Sequence, residues 1–167
     1  LAPYYLGIQT VHLLSVAVWS FSTAVAYRNY VLPVFRRLQQ DPDNAELIAL
    51  RNNFMERFDR GAELEHVAFP VAIVTGFVLM WLANWPVDRL YWFTVKLAIL
   101  AVVFVPMEVV DYYISHLGGN KARIRKRGDM KRYEQMMAFH WLFFRITTPL
   151  VLVFVPIVFY LAVAKPF

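Results

Sequence analysis

The ionisable side chains His12, Lys96, Glu108, Asp111, His140 and Arg145 stand where this chain is most apolar, inside or at the rims of long hydrophobic segments. A charge held in lipid costs several kcal/mol unless paired or wetted, so each is a functional candidate by its placement alone. His12 lies in Val11-His12-Leu13-Leu14, with Trp19 two helical turns on. A neutral imidazole facing a bundle interior can hold haem iron through one nitrogen while a neighbour bonds the other. An interhelical hydrogen bond to Thr, Ser or Tyr is the plainer use of the same residue. Lys96 could neutralise a porphyrin propionate or position an acidic substrate, and it could equally snorkel to the headgroups. His66, His116 and His140 could supply a second haem or a metal, or sit as rim histidines. Glu63-Leu64-Glu65-His66 contains Glu-x-x-His, which puts Glu63 and His66 on one helical face as a candidate metal pair. Di-iron bundles use that spacing on two helices with two further glutamates, and one copy exists here. Glu108 and Asp111 could extend the set, or pair with Arg145 as a buried charge cluster.

The elements that must position these residues are helices. Residues 5–27, 67–86, 90–113 and 136–164 are apolar runs, each sufficient for the roughly 20 residues that cross a hydrocarbon core. The expectation is one all-α domain over 1–167, a four-helix transmembrane bundle. Between the first two spans, Leu32-Pro33 should break the helix, and Asp41-Pro42-Asp43-Asn44 should turn into a new one. Leu47, Leu50, Phe54 and Phe58 then recur at helical spacing among charges, which predicts an amphipathic cytoplasmic helix running toward span two. Asn84 to Asp88 reads as a tight turn, with Trp81, Trp85, Tyr91 and Trp92 as an interfacial aromatic belt. Gly118-Gly119-Asn120 should stop the third helix. Pro149 and Pro156 fall inside the fourth, where they can kink it.

The chain is 59% hydrophobic and 17% aromatic, which excludes an ordinary soluble domain. Its net charge of +5 is confined to connections, so nucleic acid is a poor explanation for it. Arg28, Arg36, Arg37, Arg51, Arg57 and Arg60 precede span two, and a basic run from Lys121 to Arg132 precedes span four. The positive-inside rule then puts both long connections in the cytoplasm and both termini outside. The basic run reads mainly as a topology signal, with anionic headgroups as a further contact. His12 and Lys96 should share one layer, about 10 Å below the other face. The remaining polar residues form a second layer near the basic face. Cysteine is absent, which removes disulfides, thiolate clusters and covalent c-type haem attachment.

The residues also resemble a known family. His12 and Trp19 in VHLLSVAVW, FMER at 54–57, the Pro70 to Leu79 pattern, WFTVKLAIL at 92–100 and VAKPF at 163–167 are similar to the small four-helix protoporphyrinogen IX oxidases of the HemJ type. The likeness covers nearly the whole chain in order, with departures around 27–35 and 146–148. It implies a multi-pass protein of a bacterial inner membrane that binds haem b and oxidises protoporphyrinogen IX. His12 would be the functional histidine of helix one, and Lys96 the lysine of helix three. The alternatives are a haem-bearing or structural subunit of a larger membrane complex, or a metal-binding membrane protein. A homo-oligomer fits any of the three.

Overall fold

The computed structural model describes residues 2–84 and 91–165, and these are helical almost throughout. The predicted turn over 84–88 lies largely outside the described residues, as do Trp85, Arg89, Pro166 and Phe167.

Helix α1 (Ala2–Ala26) does not break at Leu32-Pro33. It passes through a π-helical turn, Tyr27–Val31, into α2 (Leu32–Gln40). The reason is local. Pro33 lacks an N–H and its ring crowds the carbonyl four residues back, at Asn29, which lies in the widened turn. The Leu32 N–H reaches back five residues to the Tyr27 carbonyl, and the rod continues. The same device recurs farther on. Helix α5 (Tyr91–Ile99) runs through a second π turn, Leu100–Phe104, into α6 (Val105–His116), with Pro106 one residue inside.

Helix α3 (Ala45–Gly61) starts as its composition suggests. The Asn44 side chain accepts from the Glu46 and Leu47 N–H groups at 3.1 Å each, with Glu46 in the first turn. Ala62 alone separates α3 from α4 (Glu63–Leu82). Helix α6 stops just before the glycines, where the Gly119 N–H donates to the Tyr113 carbonyl at 3.2 Å. A Cβ on Gly119 would lie 2.7 Å from the Ile114 Cα, so no other residue fits that approach. Asn120 serves both elements, its amide nitrogen donating to the Ser115 carbonyl at 2.5 Å near the end of α6 and its oxygen capping α7 (Lys121–Lys126) through the Arg123 N–H. Asp129 caps α8 (Met130–Ala164), which runs through both Pro149 and Pro156.

Four rods result, Tyr4–Gln40, Ala45–Leu82, Tyr91–Lys126 and Met130–Ala164, each long and apolar enough to cross a membrane. Their apolar faces point outward as well as inward. Leu14, Phe21, Val74, Val102, Val109 and Ile146 are all more than half exposed, so the rods are apolar on their outer faces too. Helix α1 lies along α4, α5 and α6 lie on α8, and α3 contacts α6 and α7.

The tightest packing is at the basic end. Tyr27, Met55, Phe58, Tyr133, Met137 and Phe144 form one core there, with Phe35 stacked on Trp141 at 4.1 Å between ring centroids. Beside it lies an ion pair without solvent contact. Lys121 Nζ is 2.7 Å from Asp59 Oδ1 and donates to His140 Nδ1 at 2.7 Å, and Asp59 Oδ2 accepts from the Lys121 backbone N–H at 3.2 Å. Because His140 accepts at Nδ1, its proton sits on Nε2, which faces Asp111 Oδ1 at 3.8 Å. One lysine therefore joins α3, α7, α8 and, through His140, α6. Burial pushes the Asp59 carboxyl up to about 6, with the Lys121 ammonium opposing the rise. Nearby, Glu56 accepts a forked pair of bonds from Arg125 at 2.7 and 2.8 Å and a third from Tyr133 at 3.0 Å. The Arg125 guanidinium holds the Glu56 carboxyl below its ordinary range. The basic run is thus more than a topology signal, since Lys121 is fully buried and Arg125 is engaged.

Removing one partner of the buried pair should cost far more than removing both. Asp59→Ala strands an ammonium in the core and should destabilise by about 3–5 kcal/mol. Asp59→Leu combined with Lys121→Met should recover most of that loss. Thermal unfolding of the detergent-solubilised protein checks it, and a double variant less stable than both single variants would reverse the account.

Candidate functional site

A cavity of about 400 Å³ lies at the other end of the bundle, between α1, α4, α5 and the last turn of α8. Its walls are mostly apolar, with Phe69, Leu97 and Phe104 among them, and its polar residues include His12, Lys96 and Lys165. That size and lining are those of a cofactor or small-molecule site. The structure thus brings His12 and Lys96 onto one cavity, from helices far apart in sequence.

The hydrogen bonds of His12 determine its tautomer. Nδ1 lies 2.9 Å from the Ala72 carbonyl oxygen and 3.1 Å from Thr75 Oγ1. The Thr75 hydroxyl spends its own proton on the carbonyls of Val71, at 2.6 Å, and Ala72, at 3.2 Å. Both neighbours of Nδ1 are therefore acceptors, and Nδ1 must carry the proton. In the neutral ring that leaves Nε2 with its lone pair, the state in which imidazole binds a metal. Gly76 makes room for the ring, because a Cβ there would come within 3.2 Å of His12 Cε1. Lys96 is half-buried, and no carboxylate lines the cavity among the described residues. A cation in an apolar cavity calls for an anion from a ligand.

On this cavity His12 could hold a cofactor metal through Nε2, and Lys96 could bind an anionic group. His66 and His140, the other candidate ligands, do not line this cavity.

The second polar layer is resolved into separate contacts. Trp19, whose ring also borders the large cavity, donates from Nε1 to Glu108 Oε2 at 2.9 Å. Glu108 Oε1 lies 3.1 Å from His66 Nδ1, and the His116 ring stands edge-on to His66 at 4.7 Å between centroids. Ser22 donates to Glu65 at 2.5 Å. Glu65, Glu108 and Asp111 border a smaller cavity of about 50 Å³, with Thr147 and Thr148 opposite. Glu63 is exposed, whereas His66 turns inward, so the Glu-x-x-His spacing does not bring its two side chains to one interior point. Among the described residues no group of three His, Asp or Glu side chains is placed to hold a metal ion. Arg145 is exposed and does not enter the Glu108 and Asp111 contacts, which go to Trp19, His66, His140 and Ser115 instead.

Sequence reasoning missed Gly76, Asp59 and the interior role of Lys121. Asp59 had a usable signal, since it falls four residues after Met55 and three before Ala62, on the buried stripe of α3. Gly76 entered only as part of the Pro70 to Leu79 resemblance with no role assigned, because its partner is 64 residues away on another helix.

Heteronuclear NMR of the imidazole nitrogens should find His12 protonated at Nδ1 in the neutral ring, with Thr75→Val leaving that tautomer in place through the Ala72 carbonyl. A ring protonated at Nε2 would overturn the ligand assignment. Comparison with protein-family models, with characterised proteins and with solved structures finds no match, so the chemistry of the cavity rests on its own residues.

Proposed function

We propose that this chain is a haem b-binding redox protein of a bacterial inner membrane that oxidises protoporphyrinogen IX to protoporphyrin IX. The observation that carries this reading is His12, tied at Nδ1 and bare at Nε2, in a cavity shared with Lys96. Haem b, when bound, would relay electrons one at a time to a further oxidant of the membrane, since six electrons and six protons must leave the porphyrinogen. The chain's own residues do the rest. His12 would hold the iron through Nε2. Lys96 binds a propionate and so fixes which part of the macrocycle faces the reacting centre. Trp19, Phe69 and Phe104 exclude water from the ring, with Trp19 packed between the two phenylalanines at 5.1 and 4.9 Å. The resemblance of the sequence to the HemJ-type oxidases points the same way.

We also place the basic connections in the cytoplasm and both ends of the chain in the periplasm, on the Lys and Arg asymmetry. A cysteine at Arg127, in a protein that has none of its own, should be labelled only from the cytoplasmic side. Labelling from outside intact cells would invert the assignment.

The absorption spectrum tests the cofactor. The purified protein should show a b-type spectrum on reduction, His12→Ala should lose most of it, and His116→Ala should keep it. Full haem content in His12→Ala would remove the proposed ligand. Activity is a separate matter. The chain should rescue a cell lacking its own protoporphyrinogen oxidase, and Lys96→Ala, still inserted, should not. Haem binding without rescue would instead favour an electron-carrying subunit of a larger complex.

A further inference from the structure

The polar layer between the large cavity and the basic end holds titratable side chains that the proposed function leaves unused. Glu108, Tyr112 and His116 are spaced four apart and share one face of α6, with His116 about 12 Å beyond Glu108 along the helix. His66 of α4 lies against this stripe. Its Nδ1 is 3.1 Å from Glu108 Oε1, and its ring stands edge-on to that of His116 at 4.7 Å. The Tyr112 ring borders both imidazoles, at 5.2 and 5.1 Å between centroids. Glu108, His66 and His116 thus form a line that ends at a half-buried residue, the last of α6.

His66 and His12 are held in different ways. A backbone carbonyl fixes the proton of His12 on Nδ1. The His66 side chain is only 5% exposed, yet among the described residues neither of its nitrogens has a hydrogen-bond partner. Its approach to Glu108 is close without the alignment of a hydrogen bond, and Glu108 Oε1 and His116 Nε2 are left open too. Open polar atoms in an apolar bundle are costly, and a purely structural imidazole would be tied as His12 is. An imidazole that takes a proton on one nitrogen and gives one up from the other must keep both accessible.

Glu108 also stands behind the wall of the large cavity. Trp19 lines both cavities and donates its N–H to Glu108. At about 50 Å³ the small cavity has room for water, with Ser20, Glu65, Asp111 and Thr147 as further polar partners. Glu65 accepts from Ser22. Asp111 bonds to Ser115 and faces His140, a branch that ends in the closed core of Lys121 and Asp59. The Glu108 branch ends at a helix terminus.

We propose that Glu108, His66 and His116 form a proton relay between the bundle interior and the basic face, and that it carries away the protons of the porphyrinogen. The inference rests on the porphyrin reading above and deepens it. The hydrogens removed from the substrate separate into electrons, which go to the membrane oxidant, a quinone by class, and protons, which need their own way out. Among the described residues no carboxylate lines the large cavity to receive them. Water passing the edge of Trp19 brings each proton to Glu108. Glu108 hands it to His66 Nδ1, His66 releases one from its other nitrogen to His116, and His116 releases one to solvent. The His66 ring resets by exchanging tautomers. Only O–H and N–H bonds form and break along the line.

The test uses the full chain in detergent and has two readouts. Heteronuclear NMR should find the His66 nitrogens averaged between the two tautomers, unlike those of His12, and Glu108→Gln should stop that exchange. Anaerobic oxidation of protoporphyrinogen IX by a short-chain quinone should slow at least about tenfold in Glu108→Gln and in His66→Ala. Both variants should keep the reduced haem spectrum, which guards against misfolding, and Glu108→Gln keeps an acceptor for Trp19. Added imidazole should restore much of the rate in His66→Ala. Full turnover in Glu108→Gln, a single fixed tautomer of His66, or a His66→Ala loss that imidazole does not restore would each overturn the relay and leave the porphyrin reading standing. Failure of the unmodified chain to oxidise the porphyrinogen would overturn that reading, and the relay with it.

Discussion

The architecture depends on an ammonium group buried without any exposure. Lys121 belongs to a six-residue helix that has little reason to be stable alone, and it reaches into the core to meet Asp59 and His140. Desolvating two charges is costly, and the cost is offset only where the geometry is good and the remaining donors and acceptors are engaged. Here the Asp59 carboxylate takes both the side-chain and the backbone N–H of Lys121, and the imidazole takes a second proton of the ammonium. Such a set is satisfied only when α3, α7 and α8 stand in one arrangement. Hydrophobic packing between apolar rods in lipid gives weak preference for any one register, because lipid tails pack nearly as well. A buried polar contact with one solution provides the missing specificity. The Glu56, Arg125 and Tyr133 contacts repeat the same three-way tie nearby.

The two ends of the bundle are built on different principles. At the basic end the aromatic core is closed and most buried charges have partners. At the other end the helices diverge around about 400 Å³ of apolar space with cations on its wall. A cavity of that size is a loss of packing, and a chain can tolerate it only if its helices are held elsewhere. The continuity of the rods makes this possible. At Pro33 and Pro106 the π turns keep α1–α2 and α5–α6 in single rods, so restraint at one end is transmitted to the other. A break at Pro106 would have left Lys96 on a short segment, and one at Pro33 would have cut the helix of His12 off from the Phe35–Trp141 stack.

Much of this was legible in the sequence, and the rest was not for identifiable reasons. Apolar runs of membrane length are a property of contiguous residues, so the four rods could be read directly. The cap at Asn44 and the stop at Gly118-Gly119 are local chemistry and were readable too. The fate of Leu32-Pro33 was not, since a proline can end a helix or be absorbed by a π turn, and the choice depends on whether the rod beyond it has a surface to pack on. The Phe35–Trp141 stack and the burial of Val31 and Val34 supply that surface, and no nearby residue announces them. Lys121 was hidden by its company. In a run of seven basic residues between Lys121 and Arg132, only the fold distinguishes the one that turns inward.

Trp19 links the two ends. Its ring is part of the wall of the large cavity, while its N–H is bonded to Glu108, which borders the small one. An indole in an apolar bundle needs an acceptor for its single donor, and a carboxylate in the same setting needs donors. Glu108 Oε2 satisfies the indole, so the orientation of the aromatic wall beside His12 is fixed by a polar contact that lies outside the cavity. The carboxylate's other oxygen lies 3.1 Å from His66 Nδ1 on α4, the helix that also carries Ala72, Thr75 and Gly76. The imidazole, the wall and the carboxylate behind it are thus all referenced to α4. A shift of α4 relative to α1 would disturb the Nδ1 bond of His12 and the seat of Trp19 together, which makes the α1–α4 contact the structural basis of the site.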